Sequence, residues 1–143
     1  MLKLAVLAST KATDMQAIID AIERNELDAE ISVVISNKKG AFALEMAGKH
    51  NIPAVFIGNT GKEREEFDKE VSAVIEKYGV ELIVLIGYMR FLSEWFINKY
   101  RNSIINIHPS LLPEFAGGMD KNVHKRVLES GAKKTGCTLH FVD

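Results

Sequence analysis

The stretch ELIVLIG, from Glu81 to Gly87, says most about the fold of this 143-residue chain. Its five central residues are all Leu, Ile or Val, with no alternation of apolar and polar side chains. An uninterrupted apolar run of this kind is typical of a strand that is covered on both faces of a parallel sheet. The stretch therefore predicts an interior strand with helices packed on both sides.

Strand and helix patterns alternate along the rest of the chain. The longest helical pattern, Lys62–Gly79, carries apolar residues on one face and has a glycine as its stop. The other predicted strands are Leu2–Ala8, Glu30–Ser36, Ile52–Ile57, Ser103–His108 and Cys137–Val142, and the other predicted helices are Thr13–Leu27, Ala41–His50, Ser93–Tyr100 and one around Lys121–Ser130. This alternation predicts an α/β fold with a doubly wound, mostly parallel sheet, formed by a single domain over residues 1–143.

Composition excludes several classes of partner. The 18 basic and 19 acidic side chains give a net charge of −1, so no basic excess indicates nucleic acid. No apolar run approaches the roughly 20 residues that span a bilayer, and no signal peptide is predicted. Cys137 is the only cysteine and no His or Cys cluster has metal-ligand spacing. We expect a cytoplasmic protein without a metal, a membrane or a nucleic acid as partner.

Three segments that follow predicted strands carry unusual residues, and ligands of open α/β sheets bind at the carboxyl ends of strands. The first segment is STKATD (Ser9–Asp14), which leads into a helix. Free N–H groups and the helix dipole favour an anion such as phosphate there, with Lys11 adding charge. A helix cap beside a solvated lysine explains the same residues equally well.

The second segment is GYMRFL (Gly87–Leu92), which mixes aromatic and apolar residues around one arginine. Such a mixture suits a flat, aromatic, partly buried ligand. The alternative is that Met89, Phe91 and Leu92 belong to the core and that Arg90 forms a surface ion pair.

The third segment is NIHPSLLP (Asn106–Pro113). Alternation in a strand places Asn106 and His108 on one face, and Pro109 ends the strand. An amide donor beside a group that titrates near neutrality suits oxyanion stabilisation with proton transfer. A histidine that is only hydrogen-bonded structurally at a strand end is the alternative. The chain has no G-x-G-x-x-G fingerprint, P-loop or G-x-S-x-G elbow.

The segments NIHPSLLP, VLIGYMRFLS, SNKKGAFALEMAGKHNIP and GCTLHFVD resemble the formyltransferases that use 10-formyltetrahydrofolate. The resemblance covers essentially the whole chain, and MQAIIDAI favours the branch of purine biosynthesis over methionyl-tRNA formyltransferase or formyltetrahydrofolate deformylase. It implies a Rossmann-like fold, 10-formyltetrahydrofolate as co-substrate and no metal. The implied reaction transfers a formyl group to the amine of glycinamide ribonucleotide.

The resemblance also implies roles for individual residues. His108 would be the general acid, and Asn106 would hold the formyl oxygen. The ribonucleotide phosphate would lie at Ala12, Thr13 and Asp14. The folate would contact Arg64, Met89, Arg90, Phe91, Leu92 and Asn106.

Three departures from the family pattern modify these expectations. Thr10 and Ala12 stand where glycines are expected, and the segment AGGMDKNVH after LLPEF is longer than in relatives. Relatives also continue through an Asp-x-Gly-Pro motif whose acid orients the histidine, whereas this sequence ends at Asp143. The pattern predicts weak formyl transfer by a 143-residue form, and an exposed edge at CTLHFV that favours a homodimer or aggregation. An inactive homologue that only binds ligand or folds, and a formyltransferase with another amine acceptor, remain alternatives.

Overall fold

The computed structural model describes residues 1–9, 13–108 and 138–141. The elements are β1 (Leu2–Leu7), α1 (Thr13–Glu23), β2 (Ala29–Ser36), α2 (Phe42–Lys49), β3 (Ala54–Phe56), α3 (Arg64–Lys77), β4 (Leu82–Ile86), α4 (Glu94–Lys99), β5 (Ile104–His108) and β6 (Thr138–Phe141). Among these helices, none is long and apolar enough to cross a membrane. The helix predicted around Lys121–Ser130 lies outside the described residues.

The strands form one six-stranded sheet in the order β3-β2-β1-β4-β5-β6. The first five strands pair in parallel, while β6 runs antiparallel to β5. The predicted doubly wound, mostly parallel sheet is therefore confirmed. Strict alternation of strands and helices would make every strand parallel, and β6 departs from this. An antiparallel strand is common at the edge of an otherwise parallel sheet.

The centre of the sheet is buried on both faces, as the apolar run of β4 predicts, whereas the short edge strand β3 is largely exposed. All five residues of β4 are buried. In β1, Leu4 and Val6 pack with residues of α1 and α2, whereas Ala5 and Leu7 pack with residues of α3 and α4. The period of two along a strand thus sends alternate side chains into two separate apolar clusters.

Helix α3 shows how the predicted boundaries compare with the structure. Phe67, Val71 and Ile75 are buried on one face, as predicted. The helix is shorter than the predicted Lys62–Gly79, and the chain leaves it through Gly79 at φ +63°. This left-handed backbone conformation is one that glycine adopts readily, and it commonly ends a helix.

The strand order places a switch point between β1 and β4. From β1 the chain proceeds outward to β2 and β3, and it then returns to the other side of β1 to form β4. Ligands of doubly wound sheets bind in the crevice outside the carboxyl ends of the strands at such a point. We therefore expect a ligand-binding site at the segments that follow β1 and β4.

Candidate functional site

The β4–α4 loop (residues 87–93) presents apolar side chains to solvent. It begins at Gly87, which has φ +57°. Tyr88 and Leu92 pack against the cluster formed with α3 and α4. Met89 and Phe91 are 69% and 80% exposed, respectively. The alternative that Met89 and Phe91 belong to the core is therefore wrong.

Two arginines lie against aromatic rings at this loop. The guanidinium carbon of Arg90 lies 4.1 Å from the centre of the Phe67 ring, and that of Arg64 lies 5.7 Å from the centre of the Phe91 ring. Within the described part of the chain, Arg90 forms no ion pair. Arg90 thus folds back over α3 instead of forming the surface ion pair of the alternative interpretation.

A pocket of about 240 Å³ opens at the loop and is lined by Tyr88, Met89, Arg90 and Phe91. Aromatic and apolar walls with one cation match the mixture found where small molecules are bound. A flat ring can lie against such walls, because aromatic faces and a guanidinium plane both accept stacked partners.

The amino-terminal half of the loop is fixed to the ends of two other strands. The Met89 N–H donates to Ser9 Oγ at 2.8 Å, and the Ser9 hydroxyl donates to Asn37 Oδ1 at 2.5 Å. The Ser9 N–H also donates to the Gly87 carbonyl at 3.2 Å. Ser9 and Asn37 are both buried. One hydroxyl therefore joins the carboxyl ends of β1, β2 and β4.

The carboxyl-terminal end of the loop is fixed to α3. Asp68 is only 1% exposed, and its Oδ2 accepts a hydrogen bond of 2.7 Å from the Ser93 N–H. Ser93 Oγ in turn accepts from the Phe96 N–H and caps α4. A buried carboxylate thus holds the residue at which the loop becomes a helix.

Tyr88 lies between charged groups inside the loop. Burial raises the pKa of its hydroxyl above the ordinary tyrosine value, and the charge of Asp68 raises it further while Arg90 opposes the shift. Neither the Tyr88 hydroxyl nor Arg90 Nε has a hydrogen-bond partner within the described residues.

Asn106 lies on the same side of the sheet as the β4–α4 loop. Its neighbours Ile105 and Ile107 belong to the α1 and α2 cluster, whereas Ile104 belongs to the α3 and α4 cluster. By alternation Asn106 shares the face of Ile104, and it is in register with Leu85 of β4. His108 ends β5, and its side chain lies outside the described part of the structure.

The predicted site residues are placed to different extents. Of the folate set, Met89, Arg90, Phe91 and Leu92 form one loop and Arg64 contacts Phe91, whereas Asn106 lies on β5; the folate and catalytic assignments stay predictions. Of the phosphate set, Ala12 lies outside the described residues, and the backbone of Thr13 and Asp14 begins α1. The phosphate assignment therefore stays a prediction.

Sequence reasoning placed Ser9 only in a predicted anion-binding segment and missed its role in holding the loop, together with Asn37, which binds Ser9, and Asp68. For Asp68 a signal was available, because it lies three and seven residues before Val71 and Ile75 on the apolar face of α3. A carboxylate at a buried helical position needs a partner. Ser9 and Asn37 follow strands directly and look like ordinary turn residues in sequence.

No group of three His, Cys, Asp or Glu side chains that could hold a metal ion occurs among the described residues. The site offers an apolar pocket, aromatic faces and guanidinium groups, and Asn106 adds an amide on the same face of the sheet. These groups bind and orient an organic molecule, and an amide can donate to a developing oxyanion.

The fold and the site are those of a doubly wound α/β protein with a pocket beside its switch point. A family model described as formyl transferase matches residues 2–143, and the chain belongs to that family.

Sequence relatives agree with this assignment. The chain is 41% identical over 144 residues to a phosphoribosylglycinamide formyltransferase of Haemophilus influenzae, covering 100% of this chain and 66% of that protein. It is 46% identical over 141 residues to the trifunctional purine biosynthetic protein adenosine-3 of Gallus gallus, covering 98% of this chain and 14% of the chicken protein. The chain thus spans less than two thirds of each of these relatives.

Solved structures show the same fold. Glycinamide ribonucleotide transformylase 1 of Symbiobacterium toebii superposes with a TM-score of 0.77 at 34% identity, covering 100% of this chain and 66% of that one. The phosphoribosylglycinamide formyltransferase of Coxiella burnetii superposes with a TM-score of 0.76 at 40% identity, covering 99% and 65% of the two chains.

Proposed function

We propose that this protein transfers a formyl group from 10-formyltetrahydrofolate to the amine of glycinamide ribonucleotide. The observation that carries the proposal is the β4–α4 loop, which displays Met89 and Phe91 beside two guanidinium groups at the switch point of a formyl transferase fold. Relatives named for this reaction match nearly the whole chain.

The reaction requires an amine to attack the formyl carbon. A carbon–nitrogen bond forms to the acceptor, and the bond between the formyl carbon and N10 of the folate breaks. The acceptor amine loses one proton and N10 gains one. In the tetrahedral intermediate the formyl oxygen carries negative charge, which the Asn106 amide would stabilise by donating a hydrogen bond. His108, at the end of the same strand, would supply the proton.

The folate would occupy the pocket of the β4–α4 loop. Its flat ring system matches the aromatic faces and apolar walls there. The exposed guanidinium of Arg64 at the start of α3 would meet the negative charge of the folate tail. The proposed folate contacts are therefore Arg64, Met89, Arg90, Phe91, Leu92 and Asn106.

The ribonucleotide phosphate would lie at the amino terminus of α1, near Ala12, Thr13 and Asp14. Free N–H groups and the helix dipole favour an anion at this position. We place the reaction in the cytoplasm. A homodimer formed through β6 also stays a prediction, and sedimentation of the purified protein tests it.

A steady-state assay tests the proposed function. The full-length protein receives 10-formyltetrahydrofolate together with glycinamide ribonucleotide, or with a different primary amine such as an amino sugar nucleotide. The proposal predicts release of tetrahydrofolate only with glycinamide ribonucleotide, and loss of that release in His108→Ala. Turnover with the amino sugar nucleotide instead would contradict the assigned acceptor. Absence of turnover and of folate binding would contradict the reaction itself.

A further inference from the structure

Two backbone N–H groups of the β4–α4 loop are bound by side chains that come from other elements. The Met89 N–H is bound by Ser9 at the end of β1, and the Ser93 N–H is bound by Asp68 of α3. Three residues, Arg90, Phe91 and Leu92, lie between Met89 and Ser93. Between them, Arg90 lies over the Phe67 ring and Phe91 extends into solvent.

Ser9 and Asp68 are both buried polar groups, and Asp68 is the only acidic or basic side chain among the buried residues of the described part of the chain. Ser9 is 6% exposed and Asp68 is 1% exposed. Burial of a carboxylate is unfavourable unless hydrogen bonds compensate for the lost water. Apolar residues would fill these positions at lower cost if only packing mattered. Their polar atoms are directed instead at main-chain N–H groups of the one loop that exposes Met89 and Phe91.

Because Met89 and Phe91 are exposed, the conformation of the loop depends on the hydrogen bonds to its backbone. A loop that buries few of its own side chains gains little stability from them and samples several conformations. A ligand that binds only one of these conformations loses affinity in proportion to its population. Hydrogen bonds at both ends restrict the path of the chain and keep the pocket formed before the ligand arrives.

We propose that Asp68 and Ser9 are positioning residues for the folate: by holding the backbone at Ser93 and Met89, they keep the β4–α4 loop in its binding conformation. This inference rests on the proposed function, since it assigns the loop to the folate. Neither residue needs to contact the ligand, and neither belongs to the predicted folate set.

The test compares Asp68→Ala, Asp68→Asn and Ser9→Ala with a matched control, Ser72→Ala. Ser72 is a buried serine on the same helix as Asp68, but its hydroxyl is hydrogen-bonded to Tyr100, away from the loop. Each full-length variant is titrated with tetrahydrofolate, and KM is measured separately for 10-formyltetrahydrofolate and for glycinamide ribonucleotide. Hydrogen exchange of the Met89 and Ser93 amides is followed without ligand.

We expect Asp68→Ala to raise the dissociation constant and KM for the folate about 10-fold, since it removes a charge-assisted hydrogen bond. We expect Ser9→Ala to raise them about 5-fold, as loss of a neutral hydrogen bond does. In Asp68→Ala, KM for glycinamide ribonucleotide and kcat should change little. Asp68→Asn keeps an acceptor oxygen and should restore most of the affinity. Ser93 exchange should accelerate in Asp68→Ala, and Met89 exchange in Ser9→Ala.

Different outcomes separate the two proposals. Wild-type folate affinity in both alanine variants, beside a wild type that binds, would overturn the positioning role alone. Equal effects in Ser72→Ala would also overturn it, because general destabilisation would then explain the loss. A wild type that binds no tetrahydrofolate would overturn the proposed function and, with it, the folate role of these residues.

Discussion

Strand β4 and the β4–α4 loop are adjacent in the chain, yet they distribute polarity in opposite ways. In β4 all five side chains are apolar and buried. In the loop the most exposed side chains are Phe91 and Met89, whereas the Tyr88 hydroxyl and Arg90 Nε are buried. Folding alone favours buried apolar side chains and exposed polar groups, and the strand conforms to this. The loop exposes apolar side chains and buries polar atoms, and such exceptions concentrate at functional sites.

The difference also concerns what holds each segment in place. Apolar burial and the parallel ladders to β1 and β5 fix β4. The loop is fixed by hydrogen bonds from Ser9 and Asp68 to its backbone, which leaves Met89 and Phe91 exposed to a ligand. Stability should therefore reside in the strand, and binding should reside in the loop.

The largest effect is expected next to the loop, on β5. Asn106→Ala should lower kcat by about 10²–10³-fold, because it removes a donor to the developing oxyanion. Folding should change little, since Asn106 is only half buried. Single-turnover kinetics of the variant, beside its unfolding midpoint in urea, check both statements. An Asn106→Ala protein with unchanged kcat would contradict the assigned role.

A smaller effect, on stability and not on catalysis, is expected for a substitution inside β4. Val84→Ala should lower the free energy of unfolding by about 2 kcal/mol, because it leaves a cavity at a fully buried position. The folded variant should keep its folate affinity. Urea unfolding and a tetrahydrofolate titration measure the two quantities, and a selective loss of affinity would weaken the separation between strand and loop.

Phe91→Ala should show the reverse pattern. The free energy of unfolding should change by less than about 0.5 kcal/mol, because the ring is largely in solvent. Folate affinity should fall about 10-fold through loss of an aromatic contact. Phe42→Ala is the matched control, since Phe42 is also exposed but lies at the start of α2. Equal affinities of the two variants would argue against a ligand at Phe91.

The smallest effect at neutral pH is expected for Tyr88→Phe. Its hydroxyl has no partner among the described residues, so removal should change stability by no more than about 1 kcal/mol at pH 7.

At alkaline pH the stability of Tyr88→Phe should differ more clearly from that of the wild type. The pKa of Tyr88 is raised by burial, so above about pH 10 the unfolded chain ionises this group while the folded protein keeps it protonated. The folded state then binds more protons, and wild-type stability falls by up to about 1.4 kcal/mol per pH unit. Urea unfolding at pH 7 and pH 11 should show a shallower decline in Tyr88→Phe. Parallel declines in both proteins would contradict the burial of this hydroxyl.

Much of the fold followed from the sequence because its signals are local. The apolar run of β4, the helical spacing of Phe67, Val71 and Ile75, and the glycine at position 79 each specify their own element. The antiparallel direction of β6 did not follow, since an edge strand can pair either way and its sequence carries no mark of direction.

The site was predictable only in part. The residues of the β4–α4 loop stand out by composition, and their resemblance to formyltransferases predicts the folate there. The supporting side chains did not stand out. Asn37 and Ser9 are 28 residues apart in the chain, and Ser9 and Met89 are 80 apart, so only the folded sheet brings them together. Whether Met89 and Phe91 point inward or outward is likewise decided by tertiary packing, because apolar residues suit either location by type.

The central claim is that the β4–α4 loop binds the folate while β4 only supports it, and amide chemical shifts measured during titration with tetrahydrofolate test this directly. We predict saturable shifts that are largest from Met89 to Leu92, a smaller shift at Asn106, and nearly unchanged signals from Leu82 to Ile86. Saturable shifts that lie elsewhere and leave Met89–Leu92 unmoved would contradict the claim.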